Sequence, residues 1–103
     1  MIVEMRTYTL QVGKVAEYFK IYEAEGMPVQ THHLPRMLGY YQTEMGTLNQ
    51  IIHMWGYDSF EQRLECRARM AADPAWQAYV AKVRPFFVTQ ETKLLLPAPF
   101  FKP

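Results

Sequence analysis

His53 stands in the middle of the apolar run Ile51-Ile52-His53-Met54-Trp55, an unusual place for a group that must find a hydrogen-bond partner when buried. As a candidate catalytic residue it serves as general acid or base, or orients an anionic or carbonyl ligand. Its structural alternative is a core histidine bonded to a carboxylate or a backbone carbonyl. Arg6 and Tyr8, two apart in an N-terminal β-prone run, share one strand face. With His53 and Trp55 they supply a cation, a phenol, an imidazole and an aromatic wall, the usual equipment of a small-molecule pocket. The competing arrangement is a salt bridge from Arg6 to Glu4 or Glu91, with Tyr8 as rim packing.

Tyr41, Glu44 and Asn49 complete the candidate substrate contacts. Tyr41 offers another wall, although tyrosines of this kind also serve as core or interface residues. Glu44 and Asn49 flank a turn, where a carboxylate or short amide also satisfies backbone N–H groups. Tyr18, Phe19 and Tyr22 have the spacing of helix-to-sheet core. Arg63, Arg67 and Arg69 alternate with Glu61 and Glu65 and read as a solvated, ion-paired face. His32 and His33 are adjacent, diverge on a helix and do not form an i, i+4 metal pair. No metal site or bound cofactor is expected. Cys66 reads as an ordinary buried thiol.

These residues need a scaffold, and the hydrophobic pattern supplies one. Residues 2–10 alternate as a strand, with Glu4, Arg6 and Tyr8 opposite Val3, Met5 and Thr7. Val15, Tyr18, Phe19 and Tyr22 give a helical stripe, which Gly26 and Pro28 end or kink near Glu25. Residues 29–34 form a further short helical segment. Runs 40–44 and 50–57 make a hairpin about Met45-Gly46-Thr47. Asp58 caps a helix with Glu61 at its third position and an apolar stripe of Phe60, Leu64, Ala68 and Ala71. Asp73-Pro74 starts another helix, with Trp76, Tyr79, Val80 and Val83 as its stripe. A last strand covers 86–96. The order βαββαβ predicts an α+β ferredoxin-like sandwich: one four-stranded antiparallel sheet with both helical layers on one face. Both faces of the strands are apolar, so a homodimer packed sheet against sheet is expected.

A chain of 103 residues makes a single domain over 1–103, and 50 % hydrophobic residues suffice for a core. A net charge of +1 argues against nucleic acid or an anionic membrane as main partner. One cysteine, no apolar run of bilayer length and an N-terminus without signal character predict a cytoplasmic protein.

The chain resembles the NIPSNAP family over nearly its full length. The resemblance rests on Glu4-Met5-Arg6-Thr7-Tyr8, on residues 39–44, on Gly46-Thr47-Leu48-Asn49, and on His53-Met54-Trp55. It continues through Asp58, Arg63 and Arg67 to Asp73-Pro74-Ala75-Trp76 and Pro97-Ala98-Pro99-Phe100. Thr47 departs from the proline of many members, which bears on turn rigidity. The resemblance implies a dimeric α/β barrel, two ferredoxin-like sheets facing each other. Relatives of that architecture include cofactor-free monooxygenases, muconolactone isomerases, chlorite dismutases and dye-decolourising peroxidases, whereas the family itself has no assigned reaction. Two functions are therefore expected. One is a pocket near His53 for a small aromatic or carbonyl ligand, used for binding or for cofactor-free isomerase- or monooxygenase-like chemistry. The other is a non-catalytic homodimeric interaction module.

Overall fold

The computed structural model describes all 103 residues. In chain order they form β1 (Ile2–Leu10), α1 (Val15–Ile21), a π-helical turn (Tyr22–Gly26), α2 (Met27–His33), β2 (Met37–Gln42) and β3 (Gln50–Tyr57). Then follow α3 (Phe60–Ala72), α4 (Pro74–Val83), a 3-10 turn (Arg84–Phe86) and β4 (Phe87–Leu95). The strands lie in the order β2-β3-β1-β4, every pair antiparallel, which is the ferredoxin-like arrangement. No helix is long and apolar enough to cross a membrane.

β1 is central, and its register decides which side chains meet. Glu4 lies opposite Trp55, Arg6 opposite His53 and Tyr8 opposite Ile51. Because directly paired residues project to the same side, these six face the helices together, as the alternation predicts. Two buried clusters form there. Tyr8, Leu10, Ile51, Tyr18, Tyr22, Tyr79 and Val83 make the larger, and Leu34, Trp55, Tyr57, Cys66 and Met70 the smaller. The opposite sheet face carries Val3 and Met54, beside which Leu38 and Leu95 are exposed and the C-terminal Phe101 comes to rest.

The helical layer departs from the pattern reading in three places. Gly26 does not end the first helix; the chain passes through a π-helical turn and continues as α2. Ser59, not Asp58, caps α3: its Oγ accepts from the Gln62 N–H at 3.1 Å, while Gln62 Oε1 accepts from the Asp58 N–H. The pair resembles a capping box, except that the glutamine reaches the residue before the cap rather than the cap itself. The inner face of α3 is also reversed. Phe60, Leu64, Ala68 and Ala71 are exposed, whereas Cys66 and Met70 are buried and Arg63 and Arg67 turn inward. The reason lies on β1, where a buried carboxylate draws the arginines to that side. Asp73 caps α4 as expected, its Oδ1 accepting from the Ala75 N–H at 2.9 Å. In the hairpin, β2 begins and ends earlier than the run 40–44, and Asn49 and Gly46 carry positive φ in the connection. That backbone suits glycine and asparagine.

Candidate functional site

Glu4 is fully buried and is met by three arginines. Arg63 donates twice to its Oε2, from Nη2 at 2.6 Å and Nε at 3.2 Å. Arg6 Nη1 reaches the same oxygen at 3.1 Å and also donates to Thr92 Oγ1, while Arg6 Nε donates to the Tyr8 hydroxyl at 2.7 Å. Arg67 stands 3.7 Å from Oε1, too far for a hydrogen bond. Burial works to raise the Glu4 pKa. The Arg63 hydrogen bonds and the Arg67 and Arg6 charges outweigh it and hold the carboxyl below its usual range. Glu4 is thus an ionised anchor for the cations.

His53, directly across from Arg6, is 1 % exposed. Its ring stacks on Tyr40 at 4.7 Å and meets Tyr8 edge-on at 4.9 Å. The Trp55 indole N–H donates to Nδ1 at 2.6 Å. Indole nitrogen is only a donor, so Nδ1 must be the bare nitrogen and Nε2 carries the proton of the neutral ring. Nε2 is buried without a partner. Burial first, then the charges of Arg6 and Arg67, push the His53 pKa down to about 3. At neutral pH this histidine is an uncharged N–H donor.

A cavity of about 160 Å³ opens between sheet and helices beside it. Arg6, Tyr8, His53, Phe87 and Gln90 line it from the sheet, and Tyr18, Tyr22, Gln30, Arg67, Trp76 and Tyr79 from the helical layer. The π-helical turn contributes directly. It carries Tyr22, whose hydroxyl donates to Gln30 Oε1 at 2.6 Å, and its Gly26 leaves room for Tyr79. Single π-helical turns of this kind recur at functional sites. The Tyr18 hydroxyl shares a 2.8 Å bond with that of Tyr40, and burial raises the Tyr18 pKa to about 12 and those of Tyr22, Tyr40 and Tyr79 further. Of these phenols, Tyr18, Tyr22 and Tyr79 form walls of the cavity. With no carboxylate in the lining and Nδ1 occupied, the site can polarise a carbonyl or hold an oxyanion, but it offers no ready base to abstract a proton.

The structure brings together Arg6, Tyr8 and His53, and places Trp55 behind His53 as its donor. Tyr41 is 56 % exposed on the other sheet face, opposite Ile52. Glu44 is exposed and Asn49 half-buried in the hairpin connection, and neither lines the cavity. The pattern reading missed Arg67, Gln30 and the helical tyrosines as lining, and Glu4 as the buried anchor. A glutamate on the core-facing side of β1, with arginines at i, i+4 on a helix, was the available signal. His33 binds Asp73 Oδ2 at 2.8 Å, linking α2 to the start of α4.

Comparison with known proteins agrees with this ferredoxin-like arrangement. The NIPSNAP family model matches residues 3–102, and the chain belongs to the NIPSNAP family. It is 32 % identical over 94 residues to a NipSnap homolog of Dictyostelium discoideum, covering 91 % of this chain and 41 % of that one. It is 35 % identical over 75 residues to human NipSnap homolog 3A, covering 72 % of this chain and 30 % of that one. The chain thus spans less than half the length of these curated relatives. Among solved structures, a NIPSNAP domain protein from Burkholderia xenovorans superposes with a TM-score of 0.96 at 42 % identity, covering 100 % of both chains. A putative antibiotic biosynthesis monooxygenase from Nitrosomonas europaea, at 8 % identity and a TM-score of 0.68 over 94 % of this chain and 98 % of that one, shares the fold.

Proposed function

We propose that this NIPSNAP domain is a homodimeric small-molecule-binding domain whose ligand occupies the helix–sheet cavity beside His53. The carrying observation is the His53 Nε2–H, buried, unpartnered and in a ring that lines that cavity. A buried polar group without a partner costs about 1–3 kcal/mol, a cost that a ligand oxygen removes. The volume supports a ligand of one ring, since a cavity of about 150 Å³ holds benzene. Arg6 is fully engaged by Glu4, Tyr8 and Thr92, which favours the second reading of an interaction module in which these groups are structural. Chemistry in the pocket, of the isomerase or oxygenase kind, would use His53 to stabilise negative charge developing on an oxygen.

The homodimer is supported by the sheet face away from the helices, where Leu38, Tyr41 and Leu95 are exposed. Sedimentation of the wild-type chain and of Tyr41→Arg tests it, the expected results being twice the 12.2 kDa chain mass and a shift toward monomer. A thermal-shift screen of single-ring aromatics, lactones and quinones tests the pocket. A ligand at a hundredfold its Kd stabilises by about 2.7 kcal/mol. Shifts in the wild type that His53→Gln loses support the pocket; no shift, together with a merely lower melting point for His53→Gln, favours the interaction module.

A further inference from the structure

The charges around this cavity do not balance. Arg6, Arg63 and Arg67 are 14 %, 15 % and 27 % exposed, and the only carboxylate they meet is the buried Glu4. With His53 neutral, three positive charges face one negative charge in a site largely shielded from water. Two of the cations are satisfied. Arg63 is bound twice to Glu4, and Arg6 is bound to Glu4, Tyr8 and Thr92. Arg67 is held less closely: its Nη1 stands 3.7 Å from Glu4 Oε1, it neighbours the Tyr57 hydroxyl, and it lines the cavity. A guanidinium carries five donors and a charge that water cannot fully solvate here, so it calls for an acceptor of opposite sign.

The cavity is therefore lined by an excess of donors, the Arg67 guanidinium and the His53 Nε2–H beside the amides of Gln30 and Gln90, and by no anion. Its apolar walls are tyrosine rings with Phe87, Trp76, Val80 and Val83. We infer that the ligand of this cavity is a single-ring organic anion, an aromatic carboxylate in its simplest form, whose oxygens take hydrogen bonds from Arg67 and from the His53 Nε2–H. This deepens the small-molecule reading and rests on it. A cationic ligand is opposed by the uncompensated charge, and a neutral ring leaves Arg67 with only its 3.7 Å approach to Glu4. Inorganic phosphate would answer the charge and leave the aromatic walls unused.

Ligand-observed NMR titration of the full chain at neutral pH, with benzoate, benzamide and inorganic phosphate as probes, tests the inference. Benzoate is expected to bind at least about tenfold more tightly than benzamide, since hydrogen bonds to an ionised acceptor are about twice as strong as neutral ones. Arg67→Gln should lose that preference and Arg67→Lys should recover part of it. Melting curves establish that the variants are folded. If benzamide equals benzoate, or Arg67→Gln keeps the preference, the anion is wrong and the small-molecule pocket stands. If phosphate binds as well as benzoate, the ring is wrong. If neither ring compound binds, the pocket reading fails and this inference with it.

Discussion

The Trp55 indole N–H donates to the His53 Nδ1 at 2.6 Å from two residues along the same strand, and so determines which imidazole nitrogen holds the proton. Alternate residues of a strand share a face, which gives this pair its geometry without any long-range contact. The expected signature is direct. In a long-range ¹H–¹⁵N spectrum at pH 7, His53 shows a protonated Nε2 and a bare Nδ1. Trp55→Phe removes the donor, mixes the tautomers and leaves a buried acceptor unmet, at a cost of about 1–3 kcal/mol in denaturant unfolding. A wild-type spectrum with the proton on Nδ1 would contradict this assignment.

The same histidine gives stability a pH dependence whose sign is fixed. Folded His53 stays neutral down to about 3 because of burial and the neighbouring Arg6 and Arg67 charges, whereas the unfolded chain protonates it near 6.5. Between those values the unfolded state binds one more proton, so stability falls as the pH falls, by about 1.4 kcal/mol per unit from this group. Above 6.5 the group adds no slope. Glu4, whose folded pKa is depressed from 4.5, adds its own loss only below that value. Denaturant unfolding of wild type and His53→Gln at several pH values from 7.5 to 4.5 separates the two groups. Over the part of that range below 6.5, the variant should be less pH-sensitive by about 1.4 kcal/mol per unit.

Glu4 holds the arginines of the site together, and its removal should cost far more than that of a surface pair. Glu4→Gln leaves three inward-turned guanidinium groups without their counter-charge. Breaking a buried ion pair from one side costs about 3–5 kcal/mol. Arg36 and Asp58, paired at 2.7 Å on the surface, supply the control. Arg36→Ala should cost less than about 1 kcal/mol. Urea unfolding midpoints of the two variants at pH 7 make the comparison, and equal losses would mean that Glu4 is not the anchor described here.

Local pattern carried the sheet and only part of the site. Alternation placed Arg6, Tyr8, His53 and Trp55 on one face, and the cap and proline at Asp73-Pro74 marked the start of α4. The inner face of α3 was not legible in the same way. Arg63 and Arg67 look like a solvated stripe, and only the fold brings them against Glu4, 59 residues away for Arg63. A buried carboxylate reversed the ordinary rule that charges face water. Glu44 and Asn49 carry suitable chemistry but sit in the hairpin connection, because strand pairing places them beyond the edge of the helix-covered face. Tyr18, Tyr22 and Tyr79 were recognisable as core. Their role as cavity walls depends on an unfilled volume, which no spacing reveals.

Gly26 lies against two walls of that volume, Tyr22 and Tyr79. Its φ of −86° suits any residue, so no backbone strain protects it from substitution. A methyl group there would lie 2.6 Å from the Tyr79 ring and 2.9 Å from Tyr22 Cδ1, contacts real side chains do not make. Replacing glycine by alanine in a helix ordinarily gains about 1 kcal/mol, whereas overpacking a core costs about 1–3 kcal/mol. The clash should win, because Tyr79 is buried and Tyr22 is tied to Gln30 by a 2.6 Å hydrogen bond. Both rings line the cavity. Gly26→Ala should therefore lower the denaturation midpoint and weaken any ligand found there. Gly13→Ala serves as the contrast: nothing lies within 4 Å of its added methyl, but its φ of 84° strains the turn. That variant should lose stability and keep ligand affinity. A Gly26→Ala protein that is more stable than wild type, with affinity intact, would show that the tyrosines yield and that the π-helical turn does not set the size of the pocket.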